Sequence, residues 1–172
     1  MTPVHWRRAG AGDAPALSLL GGATFLASFA HDHPGIALVD HALNAHSQAF
    51  YTAALADPDQ VVIIGETPLG APVGYALLTR PTIPVEAAPA DYELKRIYLL
   101  GPWQGGGLGE HLLGLAINAA RERGTKRLLL AVYPQNEKAR RFYARHGFEH
   151  IGRMTFMVGD VPFEDLVYAR QL

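Results

Sequence analysis

The 172-residue chain contains no cysteine, which excludes disulfides, thiolate nucleophiles and cysteine-ligated metals. It also lacks a dominant charge: 15 Lys and Arg stand against 16 Asp and Glu, for a net charge of -1. Nothing in that balance draws the chain as a whole to nucleic acid or to an anionic membrane. No apolar run approaches the roughly 18 residues that span a bilayer. The opening MTPVHWRRAGAGDAPAL has no apolar segment of the secretory kind. A cytoplasmic protein with neither nucleic-acid nor membrane partners is expected.

What is present is a core. Hydrophobic residues make up 49% and charged residues 18%, a balance that favours burial over disorder. With no break in composition, residues 1–172 read as a single domain. VHWRRA (4–9) reads as a strand. A helix follows over 14–29, with Asp13 placed to cap it, Pro15 in its first turn and Gly21 and Gly22 as weak points. Residues 31–40 read as irregular, and 41–55 as a second helix. VVIIGE and PVGYALLTR suit a hairpin, PTIPVEAAPA an exposed proline-rich loop, and YELKRIYLL a strand. A helix after the glycines, the strand RLLLAVY and a helix capped by Asn136 and ended by Gly147 come next, then the strands IGRMTFMV and EDLVYARQL around the turn GDVPF. This order predicts an α+β fold, a small sheet with helices on its faces.

The stretch WQGGGLGEHLL carries the strongest functional signal. Gly105, Gly106, Gly107 and Gly109 follow a strand and open a helix, where backbone N–H groups and the helix dipole favour an anion. No Lys-Ser or Lys-Thr pair follows these glycines, so they do not form a P-loop. A dinucleotide fingerprint fits poorly, because Glu110 takes the third glycine's place and the next strand ends AVYPQN without a carboxylate. Glycines there are also compatible with nothing more than tight strand-to-helix packing.

QGGGLG matches the pattern Q/R-x-x-G-x-G/A. Further on, NEKARRFYARHGF (136–148) supplies an Asn, an Ala three residues later, a Phe-Tyr pair and Gly-Phe. In both motifs, in this order, the chain resembles the GCN5-related N-acetyltransferase (GNAT) family, strongly from about Tyr92 onward and in element order before it. The resemblance implies a mixed, mostly antiparallel twisted sheet of about seven strands with helices on both faces and a splayed central strand pair. It further implies acetyl-CoA as cosubstrate and no metal. The pyrophosphate would lie on the amides of Gln104, Gly105, Gly106, Gly107, Leu108 and Gly109, and the pantetheine along Ile97, Tyr98 and Leu99, with Asn136 beside it. Gly106 departs from the family's usual basic residue, which leaves the phosphates more dependent on backbone amides.

By the same resemblance Glu93 is the candidate base, with a water chain or a plain ion-paired strand carboxylate as alternatives. The Leu99 amide is the oxyanion donor and Tyr143 the general acid for the leaving thiolate. Arg145, and more weakly Arg140, are candidates for the 3′-phosphate of CoA. HDHP (31–34) lacks a third metal ligand and reads as loop polarity near the substrate mouth. The ending, with Asp160 and Asp165, resembles that of bacterial polyamine N-acetyltransferases, and Asp32, Asp91 and Glu93 are available for the carboxylate-lined groove that a polyamine acceptor would require. A protein N-terminus, a lysine or another small amine stays open as acceptor. So do a non-catalytic acyl-CoA-binding module and, less favourably, a nucleotide-dependent oxidoreductase. The apolar C-terminal strands are compatible with a homodimer.

Overall fold

The computed structural model describes residues 3–172. Its elements are β1 (His5–Arg8), α1 (Ala14–Phe29), α2 (Gly35–Ala45), α3 (Gln48–Ala56), β2 (Val61–Glu66), β3 (Pro72–Thr79), β4 (Asp91–Leu99), α4 (Leu108–Glu122), β5 (Arg127–Val132), α5 (Glu137–Arg145), β6 (Glu149–Val158) and β7 (Val161–Gln171). They form one seven-stranded sheet in the order β1-β2-β3-β4-β5-β7-β6. Every neighbouring pair is antiparallel except β4 and β5, which run parallel. The expected α+β sheet of about seven strands is the one observed.

Strand alternation sorts the core into two layers. Val61 and Ile63 of β2, with Leu128 and Leu130 of β5, pack against Leu112, Leu113, Ala116 and Ile117 of α4. Val62 and Ile64 turn the other way, to Leu17 and Leu20 of α1 and Tyr51 of α3. Full burial of an aliphatic side chain such as Leu112 contributes about 1.5–3 kcal/mol.

Four local expectations differ from the structure. The helix expected over 41–55 is broken at His46 and Ser47, because the Ser47 hydroxyl accepts from the Phe50 amide at 3.1 Å and starts α3 afresh. Helix α2 instead begins at Gly35, inside the stretch expected to be irregular. Asp13 stands at the start of α1 without capping it; its carboxylate is taken by the Arg7 guanidinium at 2.7 Å and the Gly10 amide at 2.7 Å. Finally, Val161–Phe163 belong to β7 rather than to the turn, which narrows to Gly159 and Asp160. Pro162 is tolerated there because β5 pairs with β7 only from Leu166 onward, so this end of β7 has a neighbour on one side only.

Gly21 does not interrupt α1. A side chain at that position would collide with the Tyr51 hydroxyl and the His46 ring, so its absence lets α1 lie against that pair. Among the described residues no helix is long and apolar enough to cross a membrane.

Candidate active site

The parallel ladder between β4 and β5 is short. Asp91 is registered with Arg127, Tyr92 with Leu128 and Glu93 with Leu129, and there it ends although β4 continues to Leu99. Beyond Glu93 the two strands splay, leaving a notch with one edge of β4 unpaired. The Leu100 amide donates to the Val73 carbonyl of β3. Since main-chain groups alternate along a strand, the N–H and C=O of Leu99, and two residues back those of Ile97, face the notch. The Leu99 carbonyl accordingly accepts from Gln104 Nε2 at 3.1 Å. A bulge raises Lys95 out of the β3–β4 register, with Leu77 opposite Arg96 and Leu78 opposite Leu94. That shift places Leu94 and Ile97 on one face, and Arg96 and Tyr98 on the other.

At the end of β4 the glycines explain themselves. Gly105, Gly106 and Gly107 have φ of 90°, 57° and 83°, a left-handed run that L side chains rarely adopt. The run delivers the chain into α4 with Gly107 at its N-cap, and the site a Gly105 or Gly107 side chain would occupy is open space. The amides of these three glycines have no backbone acceptor among the described residues. Leu108 and Gly109 form the first turn of α4, and Gly109 lies against Leu99 and Phe142. The arrangement is a ready anion cradle opening onto the notch.

Helix α5 closes the other wall. Asn136 caps it, its Oδ1 accepting from the Ala139 amide at 3.0 Å, and Gly147 ends it with φ of 77°. The stripe Lys138, Phe142, His146 faces the glycine loop: Lys138 Nζ donates to Gln104 Oε1 at 3.2 Å, and His146 Nε2 lies 3.6 Å from Glu110 Oε1. Arg145 falls on the same stripe and is exposed, while Arg140 turns back to the Pro134 carbonyl at 3.2 Å. Tyr143 is buried between Phe142 and Phe148. Burial, with the nearby Tyr98, pushes its phenol well above the ordinary tyrosine range. Tyr98 itself is pushed up to about 12 by burial, opposed by Arg96 and reinforced by Tyr51 and Asp165. Tyr143 packs in the core layer of α4 and Tyr98 against the opposite layer.

Glu93, the last paired residue before the splay, is only 4% exposed. Its carboxylate accepts from the Thr82 amide at 2.5 Å, the Thr82 hydroxyl at 2.9 Å and the Ile83 amide at 3.2 Å. It therefore pins the loop 81–90 to the sheet, and Ile83 of that loop is buried against Leu129, Val167 and Ala169. That loop is not the fully exposed linker its prolines suggest.

Above Tyr98 a polar network had no sequence signal. Arg96 donates to the Tyr51 hydroxyl at 2.9 Å and to the Ala45 carbonyl at 2.6 Å, and Tyr51 donates to Tyr75 at 2.9 Å. Within HDHP, Asp32 accepts from Tyr133, at the end of β5, at 2.8 Å, and its other oxygen lies 2.6 Å from His33 Nδ1. No group of three or more His, Cys, Asp or Glu among the described residues is arranged to hold a metal ion.

A profile of the Acetyltransferase (GNAT) family matches residues 39–148. An uncharacterized N-acetyltransferase of Mycobacterium tuberculosis is 33% identical over 126 residues, 73% of this chain and 76% of that protein. An uncharacterized N-acetyltransferase of Lactobacillus delbrueckii is 34% identical over 87 residues, 51% of this chain and 50% of that one. Among solved structures, the PaiA N-acetyltransferase of Thermoplasma acidophilum in complex with coenzyme A superposes with a TM-score of 0.81 at 16% identity, covering 99% of both chains. A GCN5-related N-acetyltransferase of Rhodopseudomonas palustris does so with 0.76 at 22% identity, over 100% of this chain and 97% of that one.

Proposed function

The chain belongs to the GNAT family and is an acetyl-CoA-dependent N-acetyltransferase, and from that premise we propose a direct transfer in its notch from the thioester to a primary amine. The observation that carries this reading is the end of the β4–β5 ladder at Glu93 and Leu129, beside a left-handed glycine loop that enters α4. Pantetheine would add to the free edge of β4 through the main-chain groups of Ile97 and Leu99, with Tyr98 lining the notch beside it. The pyrophosphate would rest on the amides of Gln104 to Gly109, with Asn136 at the pantetheine and Arg145 toward the 3′-phosphate.

The amine nitrogen attacks the thioester carbonyl, the C–N bond forms, and the oxygen becomes an oxyanion facing the Leu99 amide. Collapse breaks the C–S bond, Tyr143 gives its phenolic proton to the departing thiolate, and the nitrogen, cationic after the attack, sheds its extra proton to water, which leaves a neutral amide and lets the phenolate regain a proton. Its raised pKa keeps that proton in place at neutral pH. An alkylamine is mostly protonated at neutral pH, so it must lose a proton before it attacks. Glu93 is the candidate sink. Because its oxygens already accept from Thr82 and Ile83, a water chain ending on it fits better than direct contact.

Acetyl-CoA mixed with spermidine, spermine, free lysine, peptides with free N-termini and simple monoamines, followed by release of CoA thiol, tests the reading. A protein without cysteine adds no thiol background. Saturable release with one amine class supports it; tight acetyl-CoA binding with release from none favours a binding module instead. The outer edge of β6, with Ile151 at 44% and Met157 at 47% exposure, supports a homodimer through that strand, which light scattering checks.

A further inference from the structure

Three carboxylates of the described chain are buried: Asp91, Glu93 and Asp165. Asp91 is held by Arg127, and Glu93 by Thr82 and Ile83. Asp165, only 8% exposed, makes no hydrogen bond or ion pair with a described residue, and its oxygens reach solvent, since no described side-chain N or O is both fully buried and unpartnered. A largely buried carboxylate with no protein donor and one open side is placed to accept from a bound ligand.

Its position says where that donor would come from. On β7, Asp165 shares a face with Phe163, two residues before it, and Val167, two after. Phe163 stacks on His33 at 3.9 Å, and Val167 packs on Leu129 and Ile83, so this is the face opposite α4. Leu166 is registered with Val132, which sets Asp165 beside Tyr133 at the end of β5. On the same face Ala131 is exposed, although it lies in a central strand of the sheet. No described residue covers the sheet at Ala131. A shallow cavity lined in part by Pro84, Met154 and Phe163 adjoins the spot.

We propose that Asp165 binds the ammonium group of the acceptor, and that the acceptor is a primary amine on an apolar or aromatic body rather than a polyamine. This rests on the acetyltransferase reading above and names the substrate class for the same notch. The walls around Asp165 are aromatic: Tyr98 from β4, Tyr133 at the end of β5, Phe163 from β7, and Phe29 and His33 from α1 and the turn after it. A long polycation needs further free carboxylates along its path, and those nearby, Asp32, Glu93 and Glu164, are already engaged by His33, Tyr133, Thr82 and Arg153.

The charge setting agrees. Burial pushes Asp165 up to about 6, opposed by His33. The other titratable groups facing it are Tyr98 and Tyr133, both raised and hence neutral, with Asp32 behind Tyr133 and Arg96 beyond Tyr98. An ammonium at Asp165 meets no competing cation in contact, and its affinity should fall as pH drops through about 6.

The test reads binding without turnover, using the protein loaded with CoA and titrated with 2-phenylethylamine, the neutral 2-phenylethanol and spermidine. Expected for Asp165→Asn is at least a tenfold loss of affinity for 2-phenylethylamine, unchanged affinity for 2-phenylethanol and CoA, and loss of the fall in affinity below pH 6. Because Asp165 has no partner to abandon, the variant should fold, and its CoA affinity checks this; Asp165→Glu should recover part of the amine binding. Unchanged amine affinity in Asp165→Asn, no amine binding by the parent protein, or tighter binding of spermidine than of 2-phenylethylamine would overturn the proposal. Amine binding that depends on Asp165 but leads to no acetyl transfer to that amine, while another amine of the panel is acetylated, would overturn this assignment and leave the transferase reading standing; release of CoA from no amine at all would sink the transferase reading itself.

Discussion

Lys138 Nζ, at the start of α5, donates to Gln104 Oε1 at 3.2 Å, while the Nε2 of the same glutamine donates to the Leu99 carbonyl at 3.1 Å. One side chain thereby ties the first turn of α5 to the free edge of β4, and it brings an ammonium to the mouth of a glycine loop that has no basic side chain of its own. Lys138→Ala is expected to raise KM for acetyl-CoA about three- to tenfold and to leave kcat within about twofold, the pattern of a group that binds substrate and transition state alike. Raising the salt concentration should narrow the difference between the two proteins, since the lysine is exposed.

Tyr143, the proposed general acid, has its ring fixed by Phe142 and Phe148. Tyr143→Phe keeps the packing and removes the proton, so kcat is expected to fall by about 10²-fold with acetyl-CoA affinity unchanged. Because burial and Tyr98 raise the phenol, the parent enzyme should show no loss of rate up to about pH 9 from this residue. A variant with near-normal kcat would leave Tyr143 as a core aromatic.

The glycine run, the Asn136 cap and the Phe-Tyr pair were legible in the sequence because each demand is local: left-handed backbone, an orphan amide, a helical stripe. The splay was expected only through the family resemblance, since RLLLAVY reads as one uniform strand and nothing in it marks where pairing with β4 stops. Nor was the bulge at Lys95, which turns Arg96 toward Tyr51 and Ala45. The two helices where one was expected show a single serine hydroxyl outweighing an alanine-rich run, because a capped start satisfies an amide that a continuous helix would bond elsewhere. Asp165 was visible as a residue, but its lack of a partner emerges only once β5, β6 and β7 are assembled.

Gly107 sits at φ of 83° with open space where a side chain would stand. Gly107→Ala therefore meets no collision, only the cost of the left-handed backbone, about 1–2 kcal/mol. If the run stays left-handed, thermal stability drops by that amount and cofactor affinity holds. The expected result is that the loop relaxes, so that KM for acetyl-CoA rises while the melting temperature changes little. Measuring both on one preparation separates the two responses.

His46 is buried between α2 and α3, with Nδ1 3.0 Å from the Tyr51 hydroxyl and its carbonyl accepting from Ser18. Burial first, and then the Arg96 charge, lower its pKa from 6.5 to about 3. In the unfolded chain the imidazole takes a proton near pH 6.5, whereas in the folded protein it resists down to about 3, so between those values the unfolded state binds more protons. Stability is therefore complete above about pH 6.5 and is lost as pH falls, by of the order of 4 kcal/mol on reaching pH 3. The buried Asp91, lowered by Arg127, adds its own loss only below about pH 4, where the unfolded carboxylate begins to protonate. Denaturant unfolding at pH 7, 6, 5 and 4 covers the histidine window, within which His41, also lowered by burial, contributes in the same direction and Asp165, raised to about 6, in the opposite one. His46→Gln should be less stable at pH 7, having lost a fitted ring, but should show a shallower fall between pH 6.5 and 4. An equal slope in the two proteins would mean that His46 gains its proton without unfolding, with Tyr51 and Arg96 moving aside to admit the charge.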